Sequence, residues 1–263
     1  MLSSFTVSYV PLREERAAFG SIAVIPWDSD IFGFPVAGYQ LGDPEAIVAE
    51  PVEFRMALSE WVSRYQVRLV SCFVPAEDLR PMPVLTGIGF SFVELGLTAS
   101  IANLQRMLLD EPRGRIRAGA ESDRVLLERI AEGAFRSGRY AADPLLPPEF
   151  SAKRYVCWVR DALSGDPRNR LYVMGDAGQP TCFFHLVQDG DAADLRLAAV
   201  RPDLQGGPLG YRLYQAVLFE LQRNGVKRVS ARCSATNTPV VNLYAKLGFH
   251  FAHPDVILHW HPR

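Results

Sequence analysis

Apolar and polar positions are patterned most sharply between residues 194 and 249. Leu195, Leu197 and Val200 flank two alanines in a compact apolar run that stops at Pro202, the pattern of a buried strand. Gln205-Gly206-Gly207-Pro208-Leu209-Gly210 follows, and then a helical spacing of Leu209, Leu213, Ala216, Val217 and Leu221. Gly225 is placed to end that helix in a left-handed conformation. Residues 226–233 alternate as a second strand. Thr238-Pro239 opens a short helix with Pro at its first position, and Gly248 closes it.

The upstream pattern is also that of an α/β chain. Residues 22–27 and 35–41 read as strands separated by Asp28-Ser29-Asp30-Ile31-Phe32-Gly33-Phe34, where the paired aspartates read as turn chemistry. A helix over 54–65, a strand over 67–74, a Pro-interrupted helix and a long strand over 90–101 follow. The charged stretch 106–117, with Pro112 and Gly114, marks a boundary between domains at 1–110 and 111–263. Beyond it, 114–118 reads as a strand, and Ser122 or Asp123 caps a helix bearing Val125, Leu126, Ile130 and Phe135. The loop from Ser137 to Pro147 leads to a helix with Tyr155, Trp158, Val159 and Leu163. A hairpin follows over 171–174 and 181–187. His185, alone among apolar neighbours in its second strand, reads as a hydrogen-bonded core residue rather than a base.

Composition narrows the function classes. At 263 residues and 48% hydrophobic content the chain can bury a sizeable core, and disorder is excluded. A net charge of −1 gives no global attraction to nucleic acid or to an anionic membrane. No apolar run reaches the roughly 18 residues of a membrane span, and no secretory leader is visible at the start. Cys72, Cys157, Cys182 and Cys233 are widely spaced in apolar segments, which fits free thiols in a reducing cytoplasm. His250, His253, His259 and His261 crowd the C-terminus; a strand accounts for their i, i+2 spacing, and no metal is expected.

A Gly-rich turn feeding a helix N-terminus is a ready anion site, because its N–H groups and the helix dipole favour phosphate. It is also, by itself, merely a tight turn. What adds weight is the Asn237, Leu243, Tyr244, Lys246, Gly248, Phe249 segment after the next strand. Together these two stretches resemble the GNAT acyltransferase family: 205–210 its pyrophosphate segment Q/R-x-x-G-x-G/A, and 237–249 its later motif. One departure stands out: the first Gly of G-x-G is Pro208, which has no N–H to donate. Losing a donor to a charged acceptor costs roughly 1.5–3 kcal/mol.

The resemblance implies a GNAT fold with a mixed, largely antiparallel central sheet, preceded by a smaller α/β domain. It implies acetyl-CoA, or another acyl-CoA, as a co-substrate lying along Ala198, Ala199 and Val200, with its pyrophosphate at Gln205, Gly206, Gly207, Leu209, Gly210 and Tyr211. Asn237 suits a cofactor bond or a helix cap. Tyr244 is implied as the proton donor to the departing thiolate, against a plain reading as a core tyrosine on the face of Val240, Leu243 and Leu247. No carboxylate of the cofactor strand stands out as a general base; Asp191 and Asp194 lie at its start.

Arg139, Tyr140 and Asp143, in an R-Y-x-x-D-P pattern, together with 27–34 and Leu258-His259-Trp260, are similar to the TDP-fucosamine N-acetyltransferase branch. That implies an amino group on a nucleotide-linked sugar as acceptor, held by those three residues. An amino acid or other small amine is the second acceptor class, and a CoA-binding pseudoenzyme, motivated by Pro208, is the third reading. Partners are a small-molecule amine, with no nucleic acid and no membrane; a homodimer stays open.

The first part of the chain also echoes the second. Sliding it by 159 residues lays RYQVRLVSCFVPAED over RNGVKRVSARCSATN without a gap and puts Gly89-Phe90 on Gly248-Phe249. Any two strand–helix–strand units slide into partial register, so chance and a degenerate repeat both stand. If the repeat is real, Ala46-Ile47-Val48 replaces the Gly-rich turn and Leu85 stands where Tyr244 is, leaving one active site per chain.

Overall fold

The computed structural model describes residues 7–13, 17–135 and 138–262; part of the N-terminal stretch and Ser137 lie outside them. In chain order the first elements are strands β1 (Val10–Pro11) and β2 (Gly20–Val24), helix α1 (Pro26–Phe32), β3 (Val36–Leu41), α2 (Pro44–Ala49), α3 (Pro51–Arg64), β4 (Leu69–Pro75), α4 (Met82–Ile88) and β5 (Ser91–Ile101). Then come β6 (Arg117–Ala118), α5 (Arg124–Ala134), the single turn α6 (Arg139–Ala142), α7 (Pro148–Ala162), β7 (Asn169–Asp176) and β8 (Gln179–Asp189). The last elements are β9 (Ala192–Val200), α8 (Leu209–Arg223), β10 (Arg228–Ser234), α9 (Thr238–Lys246) and β11 (His250–Trp260). Pro26, Pro44, Pro51 and Pro148 each open a helix, where the missing N–H costs nothing and the fixed φ is already helical.

Two compact units divide the chain, and no single cut separates them. One comprises Met1–Gly96, Arg139–Leu146 and His253–Arg263; the other Leu97–Gly138 and Pro147–Ala252. The first pairs β1 with β2 and β2 with β3 antiparallel, β3 with β4 parallel, and β4 with β11 antiparallel, Ser71 facing His259 in that last register. Its core holds Phe19, Tyr39, Phe54, Leu58, Trp61, Leu85 and Leu258.

The second unit pairs β6, β7, β8 and β9 antiparallel in succession and β9 with β10 parallel. One core cluster joins Phe184 and Leu195 to Leu213, Val217 and Leu221 of α8 and to Tyr244 of α9. Another joins Phe183 and Leu197 to Leu127 and Ile130 of α5 and Val159 of α7. Alternate residues of β8 thus feed opposite clusters, as a strand's two-residue period requires.

The echo in sequence extends to the element bounds. Adding 159 to β4, Leu69–Pro75, gives 228–234, the bounds of β10; adding it to β5, Ser91–Ile101, gives 250–260, the bounds of β11. Helix α3 shifts onto 210–223 against α8 at 209–223. Gly89 and Gly248, one image of the other, follow α4 and α9 with φ of 117° and 81°. The antiparallel-then-parallel pairing of β2, β3 and β4 repeats in β8, β9 and β10.

Three local expectations need correction. Residues 28–32 lie in helix α1 rather than in a turn, because Pro26 starts it. Ser29 Oγ anchors it, donating to the Ile25 carbonyl at 2.7 Å and accepting the Val36 N–H at 2.9 Å. The strand expected over 114–118 shortens to Arg117–Ala118. Asp123 precedes α5 without capping it, since its buried carboxylate is occupied by Arg117 and by the N–H groups of Ala120 and Gly178.

Candidate active site

Strand β9 carries a bulge that shapes the site. His185 of β8 faces Leu197 and Leu186 faces Leu195, so Arg196 is the extra residue. The bulge reverses the face to which odd positions point. Ala193 and Leu195 enter the core with α8, whereas Leu197 and Ala199 enter the cluster with α5 and α7. Pairing with β10 stops at the same place, at Leu195 and Ala231, although β9 runs on to Val200 and β10 to Ser234. The two strands separate there, and the β10-facing edge of 197–200, including Ala198, Ala199 and Val200, has no strand neighbour among the described residues.

That edge leads into the Gly-rich turn. Gln205 Nε2 donates to the Val200 carbonyl at 3.1 Å, fixing the turn to the strand end. Gly206 sits at φ 82°, where an L side chain is strained, and a Cβ on Gly206 would meet no atom within 4 Å. Cβ atoms on Gly207 and Gly210 would come no closer than 3.7 and 3.8 Å to any neighbour, so all three glycines border open space. Pro208 is the cap residue directly before α8, and its carbonyl accepts the Arg212 N–H. Leu209, Gly210 and Tyr211 occupy the first turn of α8, whose N–H groups have no carbonyl above them. Proline therefore removes no donor from the helix itself. An anionic phosphate chain fits this turn: the donors point outward, the dipole's positive end is here, and glycine leaves room.

Tyr244, on α9, is buried, with its hydroxyl 3.4 Å from that of Tyr214 on α8, a long and weak contact for two hydroxyls. The Tyr214 ring meets Phe184 edge-on at 4.7 Å and Tyr244 at 5.6 Å. Burial raises the Tyr244 phenol well above its ordinary range, and the neighbouring Tyr214 adds to this; burial also pushes Tyr214 up to about 12. Both are thus protonated donors at neutral pH. Tyr214 was not singled out in the sequence, although its place one residue after Leu213, on the apolar face of α8, was the signal available. Asn237 precedes α9 with no cap hydrogen bond from its side chain, and Pro239 is the second rather than the first residue of that helix.

The other candidates separate cleanly. His185 is buried, donates from Nε2 to Asn169 Oδ1 at 3.2 Å, and is held down to about 4 by burial, so it is a neutral core residue as expected. Asp194 is paired with Arg196 at 2.7 Å and receives Ser230 Oγ at 3.2 Å; Asp191 is paired with Arg228 at 2.6 Å.

Arg139, Tyr140 and Asp143 fall in the first unit, not in the second as the boundary at 110 and 111 implied. There Tyr140 donates to Asp28 at 2.7 Å, and the Arg139 guanidinium lies over the rings of Phe73 and Tyr140. Asp143 accepts the Leu145 N–H on one oxygen and His259 and His261 on the other. Burial opposes the charge of Asp143, but those hydrogen bonds outweigh it and hold the carboxyl far below its usual range. Tyr140 and Asp143 thus have their polar atoms engaged inside the protein. That was not legible from the loop-like sequence.

Residues 139–249 match the acetyltransferase (GNAT) family. Similar solved structures include a GCN5-related N-acetyltransferase from Sphaerobacter thermophilus, 16% identical, with a TM-score of 0.66 over 92% of this chain and 76% of that one. A protein of unknown function from Staphylococcus epidermidis gives 0.66 at 12% identity over 99% and 96%. The fold is that of the GNAT acetyltransferases. A tandem GNAT protein from the clavulanic acid biosynthesis pathway, 16% identical, superimposes with a TM-score of 0.61 over 93% of this chain and 80% of its own, which supports a two-domain arrangement. A mycothiol acetyltransferase from Saccharomonospora viridis is 36% identical over 63 residues, 24% of this chain. The alignment spans about a fifth of that curated relative, 21% of its length. The family match spans residues 139–249, and GNAT acetyltransferases take acetyl-CoA as co-substrate.

Proposed function

We propose that this protein is an acetyl-CoA-dependent N-acetyltransferase with one active site, built on the second unit, and that its acceptor is the primary amine of a nucleotide-linked amino sugar. The observation that carries the reading is the separation of β9 from β10 beyond Leu195 and Ala231, directly before the turn at 205–210. The free edge of 197–200 offers main-chain groups to the amides of a pantetheine arm, which is strand addition. The N–H groups of Leu209, Gly210 and Tyr211 take the pyrophosphate.

Acetyl-CoA supplies the thioester, whose carbonyl carbon the acceptor amine attacks. Tyr244 Oη holds the proton that the departing thiolate needs, and its burial keeps that proton in place. Tyr214 Oη lies 3.4 Å from that hydroxyl as a weak polar neighbour. No described carboxylate of β9 is assigned as base, since Asp194 is held by Arg196 and Ser230; an amino sugar, whose neighbouring oxygens lower its amine pKa, eases that requirement, and water takes the proton that the attacking amine loses.

The first unit is read as a degenerate copy without a cofactor site. Its β3 and β4 stay paired from Val36 through Gln40, so no opening forms, helix α2 occupies the place of the Gly-rich turn, and buried Leu85 replaces Tyr244. The sugar-nucleotide acceptor rests on the resemblance at 27–34 and 139–143. The test is thiol release from acetyl-CoA against a panel of dTDP- and UDP-linked amino sugars, amino acids and polyamines. Turnover confined to amino acids or polyamines moves the acceptor to the second class; binding of acetyl-CoA with no turnover on any amine supports a pseudoenzyme.

A further inference from the structure

In the first unit, three side chains from two distant stretches of sequence converge on one point. Asp143 Oδ2 lies 2.7 Å from His259 Nδ1 and 2.8 Å from His261 Nε2, and all three donor atoms fall within 4.8 Å of one another. Asp143 and His259 are buried, while the His261 side chain is 23% exposed. The i, i+2 spacing, read from the sequence as plain strand alternation, sets His259 in β11 and His261 one residue past its end, with both imidazoles reaching the same Asp143 oxygen.

We propose that Asp143, His259 and His261 form a binding site for a divalent first-row transition metal, zinc being the best match, which clamps the segment Arg139–Leu146 to the end of β11. Two imidazole nitrogens and a carboxylate oxygen are donors that zinc accepts in four-coordinate sites. With bonds of 2.0–2.1 Å, tetrahedral geometry separates neighbouring donors by about 3.3 Å. The two spacings to Asp143 Oδ2 are shorter than this by about half an ångström, a gap that small movements of the Asp143 carboxylate and the partly exposed His261 ring open. That same exposure gives the ion a way in and leaves its fourth position for water.

The surroundings are those of a supported site. Leu145 N–H holds the other carboxylate oxygen of Asp143 at 2.9 Å, fixing the carboxylate plane. His259 Nε2 is buried without a hydrogen-bond partner, and so is Ser71 Oγ, on the residue directly opposite it in β4. A metal on Nδ1 puts the ring proton on Nε2, on the residue paired with Ser71 in the strand register. Arg139 acts electrostatically on His259 and opposes a cation, but the charge of Asp28 acts on Arg139 in turn.

The test uses untagged full-length protein, zinc-loaded, dialysed and assayed for metal by mass spectrometry, with cobalt substitution read in the visible spectrum. One equivalent is expected, with d–d bands of a tetrahedral cobalt site. Tm should rise by roughly 5–10 °C at zinc a hundredfold above Kd. His261→Gln retains an N–H donor toward Asp143 and removes the metal ligand. It should fold and lose affinity by at least about 100-fold, more than the loss of a merely supporting partner causes. Zinc below a tenth of an equivalent in the wild type, or the same zinc content in wild type and His261→Gln, would overturn the site and leave a hydrogen-bonded cluster.

Discussion

The hydroxyls of Tyr214 and Tyr244 stand 3.4 Å apart, each on a buried ring and each from a different helix. One has a direct chemical task in the proposed reaction; the other has that hydroxyl as its neighbour. Replacing Tyr244 with Phe deletes the proton donor and keeps the ring packing against Phe249 at 4.7 Å. The expected outcome is a kcat lower by roughly 10²–10⁴, with a stability loss of about 1 kcal/mol or less. Steady-state kinetics and thermal denaturation of the same preparation measure both. A kcat near wild type, with chemistry rate-limiting, would mean a core tyrosine.

Tyr214→Phe should have a smaller effect that depends on Tyr244. Losing one hydrogen bond, worth about 1 kcal/mol, lowers kcat by about five- to tenfold and leaves acetyl-CoA affinity unchanged. In the Tyr244→Phe background the same change should have no further effect on kcat. Additive losses in the double variant would separate the two hydroxyls.

Because burial raises both phenols, the alkaline fall in rate expected for a free tyrosine is displaced upward. The kcat profile of the wild type should stay flat up to about pH 10, the ordinary phenol value. A limb near pH 9 that disappears in Tyr244→Phe would show the phenol to be more exposed to water than its 4% accessibility indicates.

Asp123 predicts a pH-dependent stability independent of catalysis. Hydrogen bonds from Arg117, helped by the Ala120 and Gly178 N–H groups, lower its carboxyl to about 2 from 3.8. A depressed carboxylate stabilises the fold fully above about pH 4, its unfolded value, and the contribution is lost as pH falls through about 2. At neutral pH it amounts to about 2 kcal/mol. Asp123→Asn should lower Tm at pH 7, and the difference from wild type should shrink steadily below pH 4. A constant difference down to pH 2 would remove ionisation as the cause.

Most of the second unit was legible because its signals are local. Gly225 and Gly248 end helices in left-handed conformations, and the apolar face of α8 was correctly read from Leu213, Ala216, Val217 and Leu221. The bulge at Arg196 was not legible. Alternation along 195–200 is consistent with either face until β8 supplies a register, and only the register shows one extra residue. The helix at 26–32 was missed because Asp-Ser-Asp is equally good turn chemistry, and the decision lies with Pro26 and with Ser29 bonding to Ile25 and Val36. The Asp143, His259 and His261 cluster joins residues 116 and 118 positions apart, which no local pattern reveals. By contrast, the 159-residue echo was visible because four elements had kept their spacing.

The most direct test of the central claim is a calorimetric titration of acetyl-CoA into the wild type and into Gly210→Glu. The Glu side chain would set bulk and negative charge where the first-turn N–H groups meet the pyrophosphate, since Gly210 borders only Val200 at 3.8 Å. The account predicts one acetyl-CoA per chain in the wild type and binding weakened by at least about 100-fold in the variant, a cost of about 2.7 kcal/mol. Two acetyl-CoA per chain, or wild-type affinity in a folded Gly210→Glu, would contradict it.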